Sequence, residues 1–484
     1  MKLKNTTLIF IIFSFIGLSF QNKQQIYTPT WDSLNARPLP AWYDQVKFGI
    51  FIHWGVYSVP AYAKDGYYAE WYWNYLENPS SDGGAVKDYH TTNFGANFSY
   101  HEFAPMFNAR LFNPDHWASM IEKSGAKYVV LTSKHHEGFT LWDSPQSWGW
   151  NSVDVGPQLD LVGALTKSIK SIPGMHMGLY HSLYEWFNPL YLIDKASGSP
   201  PTSNQYIQDI LMPQLKDIVN KYEPDVVWSD GDWEQSSDYW GSKEFLAWLY
   251  TNSTVKDSVV VNDRWGSECR NIDGGYWTGS DQWNPETLIP HKWENCYTMG
   301  FSYGYDENED ISYYQNTTYI LQQLVSTVSC GGNMLLDIAP NAEGVIPINM
   351  QERLEEIGNW LNINGESIYS TVPWRVQNDS TSKNIWYTTN TSDPTSAKAV
   401  YAISLEWPES NYLDLNSPIP TAQTSIQLLG YPKRSNSPSH YLDFSTKHKG
   451  NNAPIPGLTI HLPLLGPQDY PPYDIYVFKL LNVE

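Results

Sequence analysis

The chain has 484 residues and a formal net charge of −21, from 30 Lys and Arg against 51 Asp and Glu. So acidic a surface repels polyphosphates and excludes nucleic acid as a partner, and the length calls for a barrel-sized domain plus a smaller one. The 22 Trp and 34 Tyr suit a large core and equally suit sugar binding, because these rings pair an apolar face with a polar edge.

The N-terminus reads MKLKNTTLIFIIFSFIGLSFQNKQQ, with Lys2 and Lys4 ahead of an apolar run from Leu8 to Phe20. This is the pattern of a secretory signal peptide (residues 1–20), and the run is short for a membrane span. No second long apolar run follows, so the mature chain is expected to be soluble, without a membrane partner, and lysosomal or secreted. Sequons at Asn97, Asn252, Asn316, Asn378 and Asn390 are glycosylation acceptors on that route. Cys269, Cys296 and Cys330 are too few for a disulfide framework or a zinc site and allow at most one bridge and one free thiol in a monomer. A homo-oligomeric state is left open.

Between residues 24 and 368, apolar runs alternate with amphipathic segments. FGIFIHW, AKYVVLTSKHH, MHMGLYHS, PDVVWSD, SVVVNDRW and NMLLDIAP read as strands buried on both faces, the habit of parallel sheets. Asn113 and Pro114 form a helix start. In YIQDILMPQLKDIVNKYEP, Ile207, Ile210, Leu211, Leu215, Ile218 and Val219 share a helical face, which Pro213 interrupts with a kink or a late start. No Gly-rich phosphate turn follows the first strand, so the fold class is α/β, a (β/α)8-like barrel. From 369 to 484, KAVYAISLEWP, TSIQLLGYP, LTIHLPL and DIYVFKLLN are short strands split by Pro-, Ser- and Asn-rich turns, as in an antiparallel β-sandwich.

Functional groups of a parallel barrel collect where its strands end. The ends here read His53-Trp54, Lys134-His135-His136-Glu137, Tyr180-His181, Trp228-Ser229-Asp230 and Asn262-Asp263-Arg264. Alternation puts Val226, Trp228 and Asp230 on one face and Val260, Asn262 and Arg264 on another. There is no early His-x-His pair, no G-x-S-x-G elbow and no cysteine in a catalytic setting, so neither a metal nor a cofactor is expected. Carboxylates, histidines and an arginine among aromatics fit glycoside hydrolysis, whose oxocarbenium-like transition state needs one carboxylate at the anomeric carbon and one acid at the leaving oxygen.

At WYDQVKFGIFIHWGVYSVPAY, EWYW, AKYVVLTSKHHEGFTLWDS, GLYHSLYEWFNPLY, WSDGDWE, VVVNDRWG, HKWENC and INGESIYSTVPWR the chain resembles the α-L-fucosidases of glycoside hydrolase family 29, in the subgroup that includes the lysosomal enzymes. The resemblance implies a retaining exo-α-L-fucosidase acting on fucosylated glycans, with Asp230 as nucleophile. It implies that His53, Glu70, His135, His136, Tyr180, Trp228 and Arg264 line the fucose pocket, with His181 the alternative to Tyr180 as the inward residue. Phe51 or Trp142 would meet the fucose methyl group. The acid/base is either Asp281, in GGYWTGSDQWNP, or Glu294, in HKWENC. Asp232 and Glu234 are expected in solvent. Asp337 stands where the family more often has asparagine. The alternatives are a fucose-binding, lectin-like protein without catalysis and an enzyme for L-galactosides.

Overall fold

The computed structural model describes residues 25–380, 382–390, 399–431, 441–448, 454–466 and 472–484. The expected signal peptide and the residues completing the Asn390 sequon lie outside them.

Seven parallel strands form the first sheet: β1 (Phe48–Ile52), β2 (Tyr128–Lys134), β3 (His176–Ser182), β4 (Val226–Asp230), β5 (Val260–Val261), β6 (Trp293–Thr298) and β7 (Gly332–Ile338). Their hydrogen-bonded order is β5-β4-β3-β2-β1-β7-β6. The two edges are joined by parallel bridges, Asn262 to Tyr276 and Trp277 to Trp293. A two-residue extended segment thus fills the place between β5 and β6 and closes the barrel. Phe51, Val130, Tyr180, Val226, Trp228, Val260 and Leu335 pack inside it. The alternate residues, such as Ile50, Leu131 and Val227, face the surrounding helices. Each such apolar side chain contributes roughly 1.5–3 kcal/mol by leaving water.

Local signals account for several helices. Asn113 Oδ1 accepts the His116 N–H (3.0 Å) at the start of helix Pro114–Lys123. Around Pro213 the helix neither stops nor starts late. A π-helical turn, Ile207–Leu211, leads directly into helix Met212–Tyr222, and this wider turn lies just before Pro213, whose ring removes a backbone donor. β6 lacks an apolar signal, because Glu294 and Asn295 on it are both buried polar residues. All three cysteines are free and buried, so no bridge forms.

Beyond residue 370 the strands are antiparallel. β8 (Thr371–Asn378), β9 (Ile385–Asn390), β10 (Ala399–Ser404), β12 (Pro420–Leu428) and β15 (Tyr476–Val483) make one sheet, and β11 (Tyr412–Leu415), β13 (Phe444–His448) and β14 (Pro454–His461) another. Leu413, Leu415, Leu458 and Ile460 of the smaller sheet pack on Tyr387, Ala402, Ile426 and Phe478 of the larger. The sandwich is pinned to the barrel where Trp360 Nε1 donates to the Ile475 carbonyl (3.1 Å).

Barrel closure depends on Gly275, whose N–H donates to the Asn262 carbonyl (2.9 Å) and where a Cβ would lie 1.7 Å from the Val261 carbonyl oxygen. Gly275→Ala is therefore expected to cost about 1–3 kcal/mol or more, read as a fall of several degrees in Tm by circular dichroism.

Candidate active site

A cavity of about 320 Å³ opens at the C-terminal ends of the barrel strands, at the small end of the range for ligand sites. Asp230, Arg264, Asp281, Tyr180 and Trp228 line it. So do His53, Glu70, His135 and His136. His181 lies outside it, so Tyr180 is the inward residue of β3. Phe51 is in the lining and Trp142 is not; Trp142 is buried elsewhere, with Nε1 on Asp217 (2.8 Å).

Asp230 is the last residue of β4. Gly231 follows with φ of 76°, turning the chain where a Cβ would lie 2.3 Å from the Tyr184 ring. Asp230 is buried, and its Oδ1 accepts from Arg264 Nη1 (2.9 Å) and its Oδ2 from the Tyr180 hydroxyl (2.9 Å). Burial alone would favour its protonated form. The charges of Arg264 and Arg270 overcome that and hold the group well below the usual carboxylate range.

Arg264 serves two carboxylates at once. Its Nη2 donates to Asp281 Oδ1 (2.6 Å), its Nε to Thr278 Oγ1 (3.0 Å), and its guanidinium lies 4.6 Å from the centre of the Trp228 ring. Asp230 and Asp281 thus occupy the two terminal nitrogens of one planar group. The Asp281 side chain is 52% exposed, against 11% for Asp230.

β2 ends at Lys134, so strand alternation no longer separates His135 from His136, and their rings lie 4.1 Å apart in the same cavity. His136 Nδ1 is 2.6 Å from Ser182 Oγ, whose hydroxyl donates to the Tyr184 carbonyl (2.7 Å). A carbonyl only accepts, so His136 Nδ1 carries a proton and its Nε2 is left as an acceptor. Burial and neighbouring His135 hold its pKa well below the ordinary histidine value. His53 Nδ1 meets Asp337 Oδ1 at 2.6 Å. Glu70 Oε2 accepts from the Gly304 N–H (2.7 Å) and the Ser302 hydroxyl (3.1 Å), and burial raises its pKa.

Three expectations change. Glu294 is fully buried outside the cavity lining, accepting from Tyr43 Oη (2.6 Å), Tyr128 Oη (2.7 Å) and Trp228 Nε1 (2.9 Å), so no bound ligand reaches it as an acid. Asp232 is not solvated: it is 1% exposed and pairs with Arg270 through Nε (3.0 Å) and Nη2 (2.6 Å), while Glu234 accepts from Lys195 Nζ (2.8 Å). Asn262 does not follow Arg264 into the cavity, because β5 ends at Val261 and Asn262 pairs with Ser229 (2.8 Å). Trp71, Trp233, Arg270, Cys296 and Tyr303 complete the lining without having been singled out. Trp71 adjoins Glu70 in EWYW and Trp233 lies in WSDGDWE; Arg270 and Tyr303 sit on loops with no local signal.

The family model described as Alpha-L-fucosidase matches residues 15–366, and that of the Alpha-L-fucosidase C-terminal domain matches 377–481. The chain is 58% identical to the Alpha-L-fucosidase of Dictyostelium discoideum, over 99% of this chain and 100% of the other. It is 46% identical to the Tissue alpha-L-fucosidase of Homo sapiens, over 95% and 92%. The crystal structure of Thermotoga maritima alpha-fucosidase in complex with fucose superposes with a TM-score of 0.77 at 31% identity, covering 94% of this chain and 100% of that one.

Removing the Glu294 carboxyl would strand two buried hydroxyls and an indole N–H. Glu294→Ala is expected to destabilise the fold by about 3–5 kcal/mol, and Glu294→Gln, which keeps an acceptor, by clearly less, as compared by thermal or urea unfolding.

Proposed function

Because the chain belongs to the alpha-L-fucosidase family, we propose that this cavity binds a terminal α-L-fucosyl residue and that Asp230 and Asp281 cleave its glycosidic bond. The protein is a retaining exo-α-L-fucosidase, a glycoside hydrolase, rather than a lectin. The observation that carries the residue assignment is Arg264, which holds one buried, ionised carboxylate and one half-exposed carboxyl group on the same guanidinium.

Asp230 attacks the anomeric carbon as the bond to the leaving oxygen breaks, and Asp281 gives that oxygen its proton. The product of this half is a fucosyl-enzyme ester. Asp281, now a carboxylate, takes a proton from a water molecule, which attacks the same carbon, releases fucose with retained configuration and regenerates Asp230. Half exposure lets Asp281 meet both the departing glycan and the incoming water. Tyr180 and Arg264 hold the nucleophile's two oxygens apart and aimed. His53, Glu70, His135 and His136 take the sugar hydroxyls, and Phe51, whose ring lies 4.5 Å from that of His53, takes the methyl group.

In this reading residues 24–368 are the catalytic unit and 369–484 its supporting sandwich. The N-terminal pattern and the tissue-type relatives support a lysosomal or secreted destination for the mature enzyme. Asn97, Asn252 and Asn316 are exposed sequons, whereas both Asn378 amide hydrogens are engaged by the Lys383 and Ile385 carbonyls (3.0 Å each), which favours the first three as glycan carriers.

Asp230→Ala is expected to lower kcat/KM at least about 10³-fold on every fucoside. Asp281→Ala should lose about 10²–10⁴-fold on a glycan with a poor leaving group. It should lose much less in forming the fucosyl-enzyme from an aryl fucoside, and azide should restore turnover to an α-L-fucosyl azide. An Asp281→Ala enzyme unimpaired on poor leaving groups would remove it from the acid/base role.

The acidic limb of the kcat/KM profile should also move. In the wild type Arg264 keeps Asp230 ionised as pH falls; in Arg264→Met burial dominates and the carboxylate gains its proton sooner, so activity is lost at a higher pH. A limb that stays in place would show that Asp230 ionisation does not set it.

A further inference from the structure

Asp337 lies on β7, beside Phe51 of β1 in register, and is fully buried. Oδ1 is 2.6 Å from His53 Nδ1, while Oδ2 has no hydrogen-bond partner among the described residues. An ionised carboxyl group here would leave a bare anionic oxygen enclosed in protein, which costs more than an unmade neutral hydrogen bond. A neutral carboxyl group avoids this, because its hydroxyl on Oδ1 donates to Nδ1 and only a carbonyl oxygen is left without a partner. A neutral imidazole that accepts at Nδ1 carries its proton on Nε2. The His53 ring lines the cavity with its Nδ1 edge turned to Asp337, so Nε2 is the nitrogen presented to a ligand.

We propose that Asp337 is a positioning residue which, through this contact, holds His53 in the Nε2–H tautomer and makes it a fixed donor to a hydroxyl oxygen of the sugar. The inference rests on the fucose-binding reading of the cavity and adds the polarity of one contact. The surroundings agree with it. Burial, reinforced by the charge of Glu70, raises the Asp337 carboxyl well above its ordinary range. Burial and neighbouring His135 keep the His53 imidazole well below its own. His136, committed to Ser182 through Nδ1, has the opposite polarity and offers a bare Nε2. Two imidazoles of one cavity then read two hydroxyl groups in opposite senses, one by donating to its oxygen and one by accepting its proton, which rejects a sugar whose hydroxyls are placed otherwise.

The test combines kinetics on an aryl α-L-fucoside with a direct view of the protons. In Asp337→Asn the amide N–H can still donate to Nδ1, so KM should stay within about 3-fold of wild type. Asp337→Leu, of similar branching, removes the donor and should raise KM about tenfold with a smaller change in kcat. In a His53→Ala background the Asp337→Leu change should add nothing further. An unchanged KM in Asp337→Leu beside a raised KM in His53→Ala would overturn the inference and leave the fucose site standing. An unchanged KM in His53→Ala would instead remove His53 from the sugar, and the inference with it. Neutron diffraction from the wild-type protein decides the matter even if Asp337→Leu fails to fold. Deuterons on Asp337 Oδ1 and His53 Nε2 support the proposal, and a deuteron on Nδ1 facing a bare carboxylate overturns it.

Discussion

A carboxyl group as enclosed as that of Asp230 would ordinarily take up a proton, and what prevents it is the Arg264 guanidinium 2.9 Å away. That cation is itself 3% exposed, so its own desolvation has to be offset. The Asp230 carboxylate, the Asp281 carboxyl group, the Thr278 hydroxyl and the face of Trp228 together do so. The rest of the site follows from holding this one charge in place. The segment from β5 to β6 has no helix because it must wrap around Arg264, supplying Thr278 and Asp281 from the same loop. Asp263 stiffens it by accepting from the Thr278 N–H (3.0 Å) and hydroxyl (2.7 Å) and from the Asn271 N–H (2.8 Å).

Beneath the arginine, the floor is fixed by an arrangement of the opposite kind. Glu294 is a buried acceptor with no cation in contact among the described residues, and it collects donors from β2, β4 and the segment before β1. Trp228 is held from below by its N–H and from above by the guanidinium, so its ring plane is set from both sides. A buried polar hub is tolerable only when its members find partners, and then it specifies one arrangement of the aromatics around it. Asp232 does similar work at the rim. Its bidentate hold on Arg270 brings a second cation to 3.8 Å from Asp230 and places that guanidinium 5.8 Å from the centre of the Trp233 ring. The tryptophans flanking Asp230 are therefore parts of two separate cation–aromatic stacks, one within the barrel and one at its mouth.

The histidines show how a site reads a neutral ligand without spending charge. His53 and His136 are buried, both are held below their ordinary pKa, and each has Nδ1 committed to a residue behind it. What faces the cavity is the other nitrogen, whose donor or acceptor character is decided one residue away from the cavity wall. Glu70 is treated likewise, being gripped through Oε2 by the loop that carries Ser302 and Gly304.

Much of this was legible in the sequence because the signals are local. Apolar runs ending in His53, Tyr180 and Asp230 announce strands whose ends carry polar groups, and a barrel turns such ends toward one face. Asn113-Pro114 announces a helix start for the same reason, since the cap bonds to the backbone three residues on. Motif resemblance added Glu70, in a short 3-10 turn, and Asp281, on a loop, where periodicity is silent. β6 escaped because Glu294 and Asn295 make it look solvent-exposed, and burying them is possible only when Tyr43, Tyr128 and Trp228 arrive from far along the chain. Asp232 escaped for the same reason: a carboxyl group reads as surface until a distant Arg270 is placed against it, and Asp337, though noted as a departure on a buried strand, had no partner until His53 was placed against it. The choice between Asp281 and Glu294 was of this kind too. Composition and spacing, then, determined six of the seven barrel strands and the barrel itself, and motif resemblance determined the family and singled out the aspartate at the end of β4. The tertiary structure alone decided which carboxyl groups line the cavity and which are enclosed against donors, because ionisation and hydrogen-bond polarity belong to partners that folding brings from far along the chain.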